Sequence, residues 1–342
     1  MTAFKSFLQP LVSGRSLNEE EAFEAMTMLM EGAVSEAQIA AFLVALRMKG
    51  ETPQEIVGGA RAMRSHALKI HALSGPLIDT CGTGGDASGT FNISTTVAFV
   101  VAACGAVVAK HGNHSNTSRS GSADVLKALG IRLEATPQEV EQHLAEVGIG
   151  FLYAPGLHPA MRHVSRARKE LGMRSIFNLL GPLSNPAGAP YQVIGVYDRA
   201  LVPVLLEALK GLGSKGAMVV HGEDGLDELT LGKTAVGELR DGEEFFYTLD
   251  SEVFRLPHAS LEALHGGDPA ENAAITRSIL QGAQGPRRDI VLLNAAAALK
   301  VAGLAQDFAA GIAMAAEAID QGCALAKLDA LVAAQLPQPQ AA

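Results

Sequence analysis

Two runs of glycine and hydroxyl residues lie between positions 79 and 124, on either side of one apolar segment. The first run, Gly82-Thr83-Gly84-Gly85-Asp86, is followed by Thr90, Asn92, Ser94 and Thr95. Glycines let a backbone approach an anion closely and turn its N–H groups inward. Ser94 and Thr95 open an expected helix, where unpaired N–H groups and the helix dipole favour negative charge. This chemistry suits a polyphosphate, and it also fits a tight turn followed by a helix cap. No Gly-Lys-Ser/Thr closes the run, so it is not a Walker loop, and its glycine spacing is not the dinucleotide fingerprint. The second run starts at Lys110-His111-Gly112-Asn113 and continues through Ser115, Thr117, Ser118, Arg119, Ser120, Gly121 and Ser122. A cation followed by hydroxyls can bind phosphate and ribose oxygens, or form a flexible polar loop.

Two further groups carry charge where chemistry would use it. Glu223, Asp224, Asp227 and Glu228 crowd a short stretch broken by Gly225. Such carboxylates repel unless a cation joins them. A Mg²⁺ site and a solvated acidic loop both fit. On a helix, Arg168 shares a face with Met161, Val164 and Leu171, whereas Arg162, Arg166 and Lys169 fall elsewhere. A guanidinium on an apolar stripe needs a partner. That partner is either a protein carboxylate or a planar substrate carboxylate, which the guanidinium fork suits.

The elements that hold these groups follow from hydrophobic periodicity. Pro76 to Asp79 reads as a strand end, and Val97 to Ala109 as a buried helix passing into a strand with Gly105 as the break. The segment is too short to span a bilayer, which needs about 18 apolar residues. The result is a βαβ unit with both polar loops at the carboxyl ends of its strands, where open α/β sheets bind ligands. Ile149–Tyr153, Tyr191–Tyr197 and Ala217–His221 read as further strands, with a helix at Leu201–Leu212. Residues 234–249 around Asp241-Gly242 read as an antiparallel hairpin at the sheet edge. Gly181 to Pro186 reads as a turn-rich crossing. From Ala259 onward the pattern is helical, including Asp289–Ala302, Phe308–Asp320 and Ala324–Ala334, and Asn294 inside this apolar run needs a hydrogen-bond partner.

Before the βαβ unit, residues 1–72 read as a small helical unit. Ser16–Glu19 and Ser35–Gln38 fit capping boxes, and Thr52-Pro53 starts another helix, as Thr136-Pro137 does later. Phe23, Met26, Leu29 and Met30, then Ile39, Phe42, Leu43 and Leu46, follow helical periodicity. These apolar faces are generous for so small a unit, so part of them would meet a partner subunit.

At 342 residues with 48% hydrophobic content, two domains with ample core are expected. The net charge of −9 disfavours general nucleic-acid binding, whose affinity rests on Lys and Arg. Cys81, Cys104 and Cys323 have no metal spacing and no disulfide pattern, and the first two read as packed thiols. The opening MTAFKSFLQPLVSG lacks a signal-peptide core, giving a cytoplasmic expectation with no membrane partner. The Pro/Gln/Ala tail, 336–342, is expected to fray.

DTCGTGGD, FNIST, KHGN and SGSAD, with HPAMRHV, RARKELGMRSIFNLLGPLSNPA and DGLDE downstream, together resemble the anthranilate phosphoribosyltransferase family over roughly residues 5 to 330. The family usually reads KHGNR followed by small residues and paired serines, whereas this chain has His114, Asn116 and Thr117 there. The resemblance implies a helical domain at 1–72, joined in space by helices from about 160–182. It also implies an α/β domain from 73–159 and 183–335 with a mostly parallel sheet and an antiparallel edge. It implies transfer of the phosphoribosyl group of 5-phosphoribosyl 1-diphosphate to the amine of anthranilate, a step of tryptophan biosynthesis, by a Mg²⁺-dependent homodimer. By the same resemblance Gly82, Gly85, Asp86, Thr90, Asn92, Ile93, Ser94, Thr95, Lys110 and Ser122 bind the sugar diphosphate. The loop His111, Gly112, Asn113, His114, Ser115, Asn116, Thr117 and Ser118 covers it. Gly82, Asn113 and Arg168 hold anthranilate, and Ser94, Asp227 and Glu228 carry metal. His111 and His158 would line a tunnel, His158 equally fitting a loop histidine bonded to backbone, and no general base is implied. A pyrimidine nucleoside phosphorylase and a non-catalytic nucleic-acid-binding relative are the alternatives.

Overall fold

The protein is described by a computed structural model over residues 4–72, 75–86, 88–114 and 119–335. The amino-terminal helices are α1 (Lys5–Val12), α2 (Glu19–Met30), α3 (Glu36–Lys49) and α4 (Pro53–Ser65). The boxes at Ser35–Gln38 and Thr52–Glu55 form as expected. The α2 box instead uses Asn18 and Glu21, not Ser16 and Glu19. Leu17 is buried and its N–H donates to the buried carboxylate of Glu55 at 2.9 Å. That tie keeps residue 17 out of the helix and moves the start to Asn18.

The α/β part begins with β1 (Leu77–Gly82), α5 (Ile93–Ala103) and β2 (Val107–Gly112), the βαβ unit. Next come α6 (Ser122–Ala128), α7 (Pro137–Glu146), β3 (Ile149–Tyr153), α8 (Ala154–Leu157), α9 (Arg162–Leu171) and α10 (Ile176–Leu183). The expected crossing at Gly181–Pro186 is therefore half wrong, since α10 runs through Gly181, Pro182 and Leu183. Leu179, Leu180 and Leu183 bury their side chains in the helical cluster, and that burial outweighs the poor helix propensity of Gly and Pro. The chain then passes through β4 (Tyr191–Gly195), α11 (Leu201–Gly211), β5 (Gly216–Gly222), β6 (Lys233–Arg240) and β7 (Glu243–Asp250). Asp241 and Gly242 both have positive φ, 53° and 79°, as a two-residue hairpin turn of this hand demands. The last helices are α12 (Pro269–Leu280), α13 (Pro286–Val301), α14 (Phe308–Asp320) and α15 (Cys323–Ala334). Residues 259–268 hold a short 3₁₀ turn and extended chain, not the expected helix, because Thr90 bridges His265 and Phe91 N–H donates to the Leu264 carbonyl. The tail at 336–342, expected to fray, lies outside the described residues.

The sheet order is β3-β2-β1-β4-β5-β6-β7, parallel through β5 and antiparallel at β6 and β7. Side chains alternate between its faces. Met218 and Val220 enter the cluster built with α5 and α13, whereas Ala217 and Val219 enter the one built with α1–α4 and α9–α11. The chain direction across the sheet reverses between β1 and β4, the switch point where α/β folds bind ligands. No described helix is long and apolar enough to cross a membrane.

Candidate active site

Two glycines let the acidic loop settle on the switch point. Thr83 N–H donates to the Gly195 carbonyl at 2.8 Å, joining the ends of β1 and β4. A Cβ on Gly195 would overlap the Asp227 carbonyl, and one on Gly82 would lie 2.5 Å from Asp227 Oδ2. The loop between β5 and β6 therefore lies directly on bare backbone. Asn294 of α13 holds it from beneath, receiving the Leu229 N–H at 3.0 Å and donating to the Leu229 carbonyl at 2.8 Å. This is the partner that the buried amide required.

Asp227 and Glu228 consequently face the first glycine loop and the start of α5. Gly84 N–H donates to Asp227 Oδ2 at 2.9 Å, and Ser94 N–H to Glu228 Oε1 at 3.2 Å. Asp86 stands close enough to repel both. Desolvation, reinforced by Asp86 and Glu228, pushes Asp227 well above the usual carboxylate range. Desolvation lifts Glu228 to about 7, with Lys110 pulling against it. Glu223 and Asp224 are exposed; Asp224 accepts from Leu226 N–H at 3.2 Å and from the Thr230 hydroxyl. They are turn residues, apart from the facing carboxylates. The crowded oxygens and the Ser94 hydroxyl form a hard donor set of the kind Mg²⁺ takes with waters and substrate phosphates. Asp250, Glu252 and His258 also lie within 4.8 Å of one another, but His258 is ion-paired with Asp250 at the exposed edge.

Lys110 is buried at the end of β2, with Nζ donating to the Thr80 carbonyl at 2.6 Å and to Ser94 Oγ at 3.3 Å. Burial pushes its pKa down and nearby Asp79 opposes that. Asp79 is itself raised to about 6 by burial. It receives the His111 N–H at 3.2 Å and the Asn185 amide at 2.8 Å, anchoring the α10–β4 crossing under the second loop. Sequence reasoning passed over Asp79 and Asn185; the acidic residue opening the DTCGTGGD motif was the available signal.

Asn92, expected on the sugar diphosphate, also joins the loops to each other. Its Nδ2 donates to the Ser120 carbonyl at 3.1 Å, and its Oδ1 accepts from Ser120 Oγ at 3.2 Å and Asn272 Nδ2 at 2.9 Å. Thr90 lies on the bridge to His265 and within 3.3 Å of Ser88 Oγ, which donates to Asp86 at 2.6 Å. Ile93 and Thr95 are buried in the first turn of α5. At the second loop, the Asn113 carbonyl accepts from Ser122 Oγ at 3.3 Å and Ala123 N–H at 3.2 Å. Gly112 is necessary because a Cβ would overlap Ser122 Oγ. His114 pairs with Asp124 at 2.5 Å and meets Tyr153 edge-on. Ser115, Asn116, Thr117 and Ser118 lie outside the described residues. His158 bonds to His111 rather than to backbone, Nε2 to Nε2 at 3.1 Å.

Arg168 sits half-buried over the Phe177 ring at 4.8 Å. Burial lowers its pKa, and among the described residues no carboxylate is paired with it. The protein-carboxylate option raised by its sequence position is not realised. Cys81, Cys104 and Cys323 are free; burial pushes the Cys81 thiol well up and Cys104 to about 11.

Residues 74–325 match the glycosyl transferase family α/β domain, and residues 5–67 its helical bundle domain. An anthranilate phosphoribosyltransferase of Desulfatibacillum aliphaticivorans is 52% identical over 330 residues, covering 96% of this chain and 98% of that protein. One from Symbiobacterium thermophilum is 54% identical over 319 residues, with 93% and 94% covered. The chain belongs to the anthranilate phosphoribosyltransferase family. The crystal structure of the anthranilate phosphoribosyltransferase of Thermus thermophilus superposes with a TM-score of 0.92 at 47% identity, covering 96% of this chain and 98% of that one. The Saccharomyces cerevisiae anthranilate phosphoribosyltransferase in complex with PRPP and Mg superposes with a TM-score of 0.88 at 29% identity, covering 97% of each.

Proposed function

We propose that this chain transfers the phosphoribosyl group of 5-phosphoribosyl 1-diphosphate to the amine of anthranilate, releasing diphosphate, as one step of tryptophan biosynthesis. One observation carries the reading. Carboxylates that repel one another, Asp86, Asp227 and Glu228, are gathered against a helix N-terminus and a buried lysine. A polyanion bridged by a divalent cation answers both features at once.

Gly82, Gly85, Asp86, Thr90, Ile93, Ser94, Thr95, Lys110 and Ser122 would line the sugar diphosphate, with the His111–Ser118 loop over it and Asn92 holding the two loops together. Ser94, Asp227 and Glu228 would hold Mg²⁺, which when bound supplies Lewis-acid stabilisation of the leaving diphosphate. Arg168, lacking a protein carboxylate among the described residues, would bind that of anthranilate, with Asn113 and Gly82 beside the ring. The aromatic amine is neutral, so positioning and leaving-group stabilisation do most of the work. As anomeric C–O cleavage proceeds, the amine lone pair bonds to C1 and the nitrogen then loses one proton to solvent.

Val12 and Met48 are 76% and 84% exposed on the helical unit, and a homodimer formed through that unit would cover apolar side chains of this kind. A cytoplasmic location suits a biosynthetic enzyme of this kind. The test is loss of anthranilate fluorescence with the sugar diphosphate and Mg²⁺ present. No loss, alongside thymidine phosphorolysis, would assign the protein to the phosphorylase branch instead.

A further inference from the structure

Arg174 stands where the helical unit meets the first glycine loop. Gly172 ends α9 with φ of +57°, and Arg174 follows two residues later, reaching Tyr197 and Gly85. Its guanidinium carbon lies 3.9 Å from the centroid of the Tyr197 ring, and its Nη2 donates to the Gly85 carbonyl. Among the described residues no carboxylate pairs with it. Tyr197 is fixed in turn, because its N–H donates to Thr83 Oγ1 at 3.2 Å. The platform, the cation and the glycine loop thus form one closed circuit.

In a trans peptide the carbonyl and the following N–H point in opposite directions. Holding the Gly85 carbonyl toward Arg174 therefore fixes the Asp86 N–H toward the other side. Gly84, one residue earlier, is held through its N–H by Asp227. We infer that Arg174 is a positioning residue: braced on Tyr197, it sets the peptide orientation of the first glycine loop and thereby its grip on the sugar diphosphate. The inference rests on the proposed reaction for its ligand, but not for its geometry. It also links both substrates to one segment, since Arg168 lies six residues upstream on α9.

The experiment compares wild type with Arg174→Ala, Arg174→Lys and Tyr197→Leu, using full-length protein with Mg²⁺. Arg174→Ala is expected to raise the KM for 5-phosphoribosyl 1-diphosphate about tenfold, the scale of one lost charge-assisted hydrogen bond. The KM for anthranilate should stay within about twofold, since the peptide released is Gly85–Asp86, whereas Gly82 is held separately in β1, paired with Gly195. Arg174→Lys should recover most of the loss, because an ammonium can still donate to the carbonyl over the ring, and Tyr197→Leu should resemble Arg174→Ala. Amide hydrogen exchange at residues 82–86 should quicken in Arg174→Ala without a change in Tm. Equal rises in both KM values with no lysine rescue, or unchanged KM and exchange, would overturn the assignment. If wild type itself fails to consume anthranilate, the proposed reaction falls, while the exchange comparison still decides for or against Arg174.

Discussion

The imidazoles of His111 and His158 meet Nε2 to Nε2 at 3.1 Å in the interior beside the second loop. One ring must donate and the other accept, so the pair is stable only while at least one nitrogen is unprotonated. Burial pushes His111 down to about 3, with His158 adding to it, and His158 down to about 4, with Lys69 adding to it.

A depressed histidine pKa means that the unfolded chain binds the proton more readily. Stability from the neutral pair is complete above about pH 6.5 and is lost as pH falls toward the folded values. For His158 the loss between pH 7 and pH 5 amounts to about 2 kcal/mol, from a shift between 6.5 and about 4. His158→Gln should therefore lose about 2 kcal/mol less than wild type over the same interval, read by urea denaturation at each pH. Equal losses in both proteins would show that the ring does not titrate as the geometry demands.

The acidic cluster makes the opposite prediction. Glu228, raised to about 7, ionises in the unfolded chain at lower pH than in the fold. The metal-free protein then loses stability as pH rises from about 4.5 through 7. Glu228→Gln should raise the metal-free Tm at about pH 7.5 by about 2 to 6 °C. Added Mg²⁺ should raise the wild-type Tm in a concentration-dependent way, and that of Asp227→Asn/Glu228→Gln far less. A double variant that keeps the wild-type magnesium response would remove these two residues from the metal site.

Arg168→Ala should raise the KM for anthranilate about 30-fold while sparing that for the sugar diphosphate, the loss expected of a charged, bidentate hydrogen bond. The Phe177 ring beneath the guanidinium makes lysine a poor substitute, because it cannot keep both stacking and fork geometry. Steady-state kinetics with each substrate varied separately checks the split.

Gly195→Ala tests the contact on which the acidic loop rests. The new methyl group would overlap the Asp227 carbonyl, so either β4 or the loop must move. The expected cost is about 1 to 3 kcal/mol in stability, with at least about a tenfold fall in turnover at saturating Mg²⁺ as the proposed metal-binding carboxylates shift. A fully active Gly195→Ala protein would mean that the loop has more freedom than its packing allows.

Much of this fold could be read from the chain. The βαβ unit, β3 and the Asp241-Gly242 hairpin followed from periodicity and turn chemistry, because each depends on neighbours in sequence. The start of α2 and the end of α10 did not, because Glu55 and the helical cluster, both distant in sequence, decide them. The site shows the same division. The roles proposed for the glycine loops, the acidic pair and Arg168 rest on residue type. The roles of Asn185 under Asp79, Arg174 over Tyr197 and Gly195 beneath Asp227 exist only once separate segments are brought together.

The helices α9 and α10 supply Val164, Ala167, Ile176, Phe177, Leu179 and Leu180 to the interior shared by α1–α4. A fragment carrying only the first four helices would expose that interior to water. Two distant stretches of gene pack into that one interior, so recombination that exchanged either stretch alone would have to rebuild the seam between them. Both stretches must be inherited together for the bundle to remain whole.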